Sequence, residues 1–195
     1  MVSIQDNQDP IEFGTRPLWQ TLLGTACLAL SFFILVILVP QSDVLSASRL
    51  WLSVILAVWL LALSAIDMHR YLLPDLMTLP LILAGIVYSV MIESNWAASV
   101  MGAAIGYGLI AALEWYWRTF RGREGIGLGD AKLLAAIGAW CGVFVIPVVL
   151  LVASGVAIAL VLMVSVVAKK DLNSTPIPFG PSLCLGFWVA WVLFG

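Results

Sequence analysis

Charge is scarce in this chain. Of its 195 residues only 10% are Asp, Glu, Lys or Arg, histidine occurs once, and the three cysteines form no Cys-x-x-Cys pair. So little charge excludes a water-soluble domain of ordinary composition, in which about a quarter of the residues are charged. The spacing of Cys27, Cys141 and Cys184 matches no disulfide or thiolate-metal framework, and all three fall inside apolar runs, where they read as small buried hydrophobes. Neither a cofactor, a metal nor a nucleic-acid partner is expected.

What the chain has instead is apolar length. Hydrophobic residues make up 63% of it, and its mean hydropathy is +1.09. They come in runs of about 20, enough for a helix to cross a hydrocarbon core of roughly 30 Å. The expected fold is therefore all-α and polytopic, with the lipid bilayer as its solvent. Residues 22–39 have the length of a signal-peptide core, but Asp6, Asp9 and Glu12 precede them against a single Arg16, and a signal peptide wants a basic start. A retained first span is expected.

Punctuation between the apolar runs predicts seven helices, at 19–39, 49–66, 76–92, 97–117, 130–143, 146–168 and 181–195. The stretch from Asp130 to Ala168 is too long for one span at 1.5 Å per residue, so it should fold back around Gly142 to Pro147. Residues 1–18 read as an untethered polar arm, 19–48 as an extra first helix with its outer loop, and 49–195 as the main membrane domain. With the N-terminus in the cytoplasm, Arg16, Arg70, Arg118, Arg121, Arg123, Lys132, Lys169 and Lys170 share the cytoplasmic side and only Arg49 lies outside. The positive-inside rule favours that orientation, which puts the C-terminus outside. Trp19, Trp51, Trp96, Trp115, Trp117 and Trp140 fall near span ends and read as interfacial anchors, and His69 as an exposed loop residue.

Carboxylates near lipid are costly unless solvated or paired. Most of those here lie in polar arms and loops and need no function. Asp67 differs, because it ends the unbroken run from Trp59 to Ile66. Asp130 closes Gly125-Ile126-Gly127-Leu128-Gly129 and opens the fifth helix, where alternate glycines let the backbone turn tightly and approach another segment. A phosphate cradle fits this loop poorly, since no Lys-Ser/Thr pair follows it. Asp75 starts the third span and reads as a cap for its free amides, with catalysis as its other role. Glu114, inside the fourth span, is kept as a secondary candidate. Two carboxylates that meet can share a proton, one acting as base and the other as acid. Which of Asp67 and Asp130 holds the proton stays open.

At these residues the chain resembles the type IV prepilin peptidases and preflagellin peptidases, intramembrane aspartyl proteases of the GxGD class. Three segments in order carry the resemblance: Ile66-Asp67-Met68-His69-Arg70-Tyr71-Leu72-Leu73-Pro74-Asp75, Gly127-Leu128-Gly129-Asp130-Ala131-Lys132-Leu133-Leu134, and Ile177-Pro178-Phe179-Gly180-Pro181. It implies a six-helix peptidase core preceded by one extra helix. The catalytic aspartates fall on Asp67 and Asp130, and Gly127, Gly129 and Lys132 belong to the supporting loop. It also implies removal of a short basic leader from prepilin or pseudopilin precursors, after a glycine, at the cytoplasmic face of the inner membrane. Many such enzymes carry two Cys-x-x-Cys pairs in a large loop and methylate the new N-terminus; this chain has no such pairs, and methyltransferase activity is not expected. A small ion-coupled transporter, with Asp67, Glu114 and Asp130 as its relay, and an inactive assembly factor are the competing readings.

Overall fold

In the computed structural model, residues 47–70, 72–93, 96–121, 127–168 and 179–194 are described. The expected first helix at 19–39, the arm at 1–18, Trp19 and Cys27 lie outside them. Six α-helices follow in order: α1 Ala47–Arg70, α2 Asp75–Tyr88, α3 Trp96–Arg121, α4 Leu128–Cys141, α5 Ile146–Ala168 and α6 Gly180–Phe194. A π-helical turn, Ser89–Glu93, extends α2, and a 3₁₀ turn, Val143–Val145, precedes α5. Among the described residues there is no strand.

Among the described residues four segments are long and apolar enough to cross a membrane: Trp51–Arg70, Asp75–Ile92, Trp96–Phe120 and Val143–Leu162. The chain is thus a multi-pass, all-helical membrane protein. Each shows lipid one face, as Trp51, Val54, Ile55 and Val58 do on α1, and buries the other, as Leu56, Leu60 and Leu63 do.

The shorter α4 is the centre of the bundle. At 14 residues it reaches only about 21 Å, but its residues from Leu133 to Trp140 are all buried. A helix apolar on every side belongs inside others, and α4 packs against α3, α2 and α6, while α6 also packs on α5 and α1. Small residues let it come close: a Cβ on Gly102 would sit 2.2 Å from the Gly138 carbonyl oxygen, and one on Gly106 2.5 Å from that of Leu134. The helix breaks where the fold-back was expected, with α4 ending at Cys141 and Gly142 taking φ +79°, a left-handed value that suits glycine.

Trp140 corrects an expectation. It is buried, not interfacial; its indole N–H donates to the Leu81 carbonyl at 2.8 Å, and its ring stacks on Tyr88 and meets Trp191 edge-on. An anchor must show its ring to the interface, and the end of α4 is enclosed by other helices. Trp51, Trp96 and Trp115 are exposed, as anchors should be.

Candidate active site

Three helix ends converge. The first belongs to α1, which runs to Arg70 instead of stopping at residue 66, so Asp67 sits in its last turn with the exposed His69 and Arg70 beyond it. Asp67 is buried, at 5% exposure. A carboxylate there needs a hydrogen-bond partner to offset lost hydration. The partner comes from 113 residues away, where the backbone N–H of Gly180 donates to Asp67 Oδ2 at 3.1 Å.

Gly180 is the first residue of α6. The first amides of a helix have no carbonyl partner within it, and the helix dipole there favours an acceptor that carries negative charge. Asp67 caps α6 from another helix. Only glycine fits the contact, since a Cβ at 180 would lie 2.5 Å from Asp67 Oδ2 and 2.8 Å from its Cγ. Pro181 follows where a missing N–H costs nothing.

The third end is the start of α4. Gly127 caps it in an extended conformation, the Asp130 amide donates to the Gly127 carbonyl at 3.0 Å, and Asp130 becomes the third helical residue. Its half-buried carboxylate lies within electrostatic reach of Asp67. The thiol of Cys184, buried one turn into α6, lies within reach of both. Gly127 is exposed, whereas Gly129 is pressed against the α1–α2 connection, where a Cβ would be 2.9 Å from Leu73 Cβ. Gly125 lies outside the described residues.

Asp75 corrects a second expectation. It is the first residue of α2, yet the N-cap is Pro74 and no side chain caps the helix by hydrogen bond. Met77 and Thr78 amides turn to the Pro74 carbonyl instead, and the Asp75 carboxylate pairs with Lys132 Nζ. A cation from α4 outcompetes the local amides because a charged donor makes the stronger bond. Glu114 is buried on α3, on the same stripe as Gly102, Gly106 and Ile110. The structure thus joins Asp67 to Gly180 by a hydrogen bond, sets Asp130 within electrostatic reach of Asp67 and Gly129 against Leu73, and pairs Lys132 with Asp75, while Glu114 lies buried on α3.

A buried carboxylate with a second one in reach, both at one end of a bundle of membrane helices, can divide proton donor and acceptor between two like groups. Such an arrangement places the chain among membrane proteins with a pair of carboxylates at one end of the helix bundle. Comparison with known proteins narrows the class: the model of the type IV leader peptidase family matches residues 54–164. A prepilin leader peptidase/N-methyltransferase of Xanthomonas campestris pv. campestris is 40% identical over 140 residues, covering 71% of this chain and 48% of the relative. A protein of the same name from Aeromonas hydrophila is 40% identical over 145 residues, with the same shares. The leader peptidase HopD of Escherichia coli is 37% identical over 142 residues, covering 72% of this chain and 87% of HopD. No solved structure matches. The chain belongs to the type IV leader peptidase family, and it spans about half the length of the first two relatives.

Proposed function

We propose that this protein is a membrane aspartyl endopeptidase that removes the basic leader from type IV prepilin-like or pseudopilin precursors. The reading rests on the helix ends that carry Asp67 and Asp130 meeting at one end of the bundle, with the two carboxylates within electrostatic reach, in a chain whose family is that of leader peptidases. Asp67 and Asp130 act as one titrating unit. The ionised member takes a proton from water as that water attacks the scissile carbonyl, and the protonated member donates to the carbonyl oxygen. The Gly180 amide holds Asp67 in place, and Gly129 lets the Asp130 turn lie close against Leu73.

A site at one end of the helices suits a substrate whose leader is in water and whose apolar helix is in lipid. Charge placement supports the cytoplasmic end of the inner membrane, with the N-terminus inside, the C-terminus outside, and residues 49–195 as the peptidase domain preceded by one extra helix. A transporter relay would sit near the bilayer midplane on broken helices, and the end-on position of the pair favours the peptidase. Of the two activities named for the Xanthomonas and Aeromonas relatives, the peptidase is the one proposed for this chain.

The test is co-expression with precursors of type IV pili, tight-adherence pili and type II secretion pseudopilins. Leader removal from at least one is expected, with a single new N-terminus by mass spectrometry at the border of the apolar segment. No cleavage of any, by a membrane-inserted chain, would overturn the reading. Gly129→Val is expected to cut cleavage by about tenfold or more, because its branches must displace Leu73 or the Asp130 turn. Cleavage at the wild-type rate would show that the turn tolerates bulk.

A further inference from the structure

Lys132 follows Asp130 by two residues on α4. At about 100° per residue the two side chains leave the helix on roughly opposite flanks. Asp130 is turned toward Asp67 and Cys184, and Lys132 toward α2, where it pairs with Asp75. Asp75 in turn begins α2 directly after the short connection from α1, the helix that carries Asp67. The ion pair therefore ties the segment bearing one carboxylate to the segment bearing the other, on the side away from both.

A second tie lies at the far end of the same helix pair, where the Trp140 indole donates to the Leu81 carbonyl. Two ties to α2, eight residues apart along α4, fix the rotation of α4 about its own axis. Rotation matters to Asp130. A carboxylate carried roughly 6 Å from a helix axis moves about 1 Å for every 10° of turn, and a displacement of that size at a reacting group can cost about a hundredfold in rate. The Trp140 tie is buried and holds the end remote from Asp130; near Asp130 the charge pair is the tie that α2 supplies.

We propose that Lys132 and Asp75 are a positioning pair, which sets the rotation of α4 and thereby the approach of Asp130 to Asp67. This rests on the assignment of those two residues as the catalytic carboxylates. The pair touches neither water nor peptide in the reaction. As Asp75 is exposed, its contribution to stability is small, as for other solvent-facing ion pairs; its effect is on geometry.

The experiment is a double-mutant cycle on the full chain in proteoliposomes, with a purified prepilin precursor as substrate. Lys132→Asp and Asp75→Lys are each expected to lower kcat by about ten- to a hundredfold with KM within about threefold of wild type. The double reversal is expected to recover at least about tenfold over either single variant, because the opposite charges meet again. Asp75→Asn, a near-isosteric change at an exposed helix start, guards against misfolding of the reversals and should show the same loss in kcat at unchanged thermal stability. Wild-type kcat in Asp75→Asn, or a double reversal no faster than the product of the two singles, would overturn the positioning role. Asp67→Asn and Asp130→Asn run beside them separate the two failures: if those still cleave, the catalytic assignment falls; if they are dead while the pair variants are fast, the positioning proposal alone falls.

Discussion

Asp67→Asn and Asp130→Asn should each slow leader cleavage by about a thousandfold or more, while the protein still inserts and melts within a few degrees of wild type. Asparagine is the informative replacement. Its side-chain oxygen can accept the Gly180 amide as Asp67 Oδ2 does, so the cap on α6 survives. Alanine at 67 would orphan a buried N–H, a cost of about 1–3 kcal/mol that would confuse lost chemistry with lost structure. What asparagine cannot do is exchange a proton with its partner. The two carboxylates divide one function, so removing either should remove nearly all of it, and the double variant should be hardly slower than the worse single. Independent contributions would instead multiply. Cleavage within tenfold of wild type for either variant, followed by immunoblot of a co-expressed precursor or by rate on purified protein, would remove that residue from the site.

The long apolar runs made α1, α2, α3 and α5 legible in the sequence, because a segment that must satisfy its own amides in lipid has no alternative to helix. The candidate carboxylates stood out in the sequence for a different reason: an acid at the end of an apolar run is costly, and cost points to use. What periodicity could not supply was the partner. Asp75 looked like a cap because its own helix was the only neighbour visible to a local reading, yet its ligand is Lys132, 57 residues away. Gly180 was seen only as part of the Pro178-Phe179-Gly180-Pro181 segment; a glycine followed by proline at the start of a helix was the available sign that a bare amide was wanted there. Trp140 was misplaced because hydropathy does not distinguish a short central helix from a span.

The α3–α4 contact went unread although its signal was present, since Gly102 and Gly106 are four apart, a spacing that lets membrane helices approach through their backbones. That contact governs the last prediction. A Cβ on Gly138 would lie 2.1 Å from the Gly102 carbonyl oxygen, 2.3 Å from its carbon and 3.0 Å from the Ala103 amide nitrogen. All three are backbone atoms inside a helix, so no side-chain rotation relieves the clash, and α3 must move away as a body. Moving it opens the face of α4 that carries Leu134 and Ala135, both packed beneath Gly106. Gly138→Val is therefore expected to cost about 3 kcal/mol or more, the upper part of the range for overpacked interiors. In a chain of this size that lowers the melting temperature by roughly 6–12 °C, which thermal unfolding in detergent would read. Asp130 is carried on the same helix, two turns toward its start, so cleavage should fall even in the fraction that stays folded. A Gly138→Val protein that melts with wild type would mean that α3 and α4 do not touch at Gly102, and would detach the glycine spacing from the packing that holds α4 at the centre.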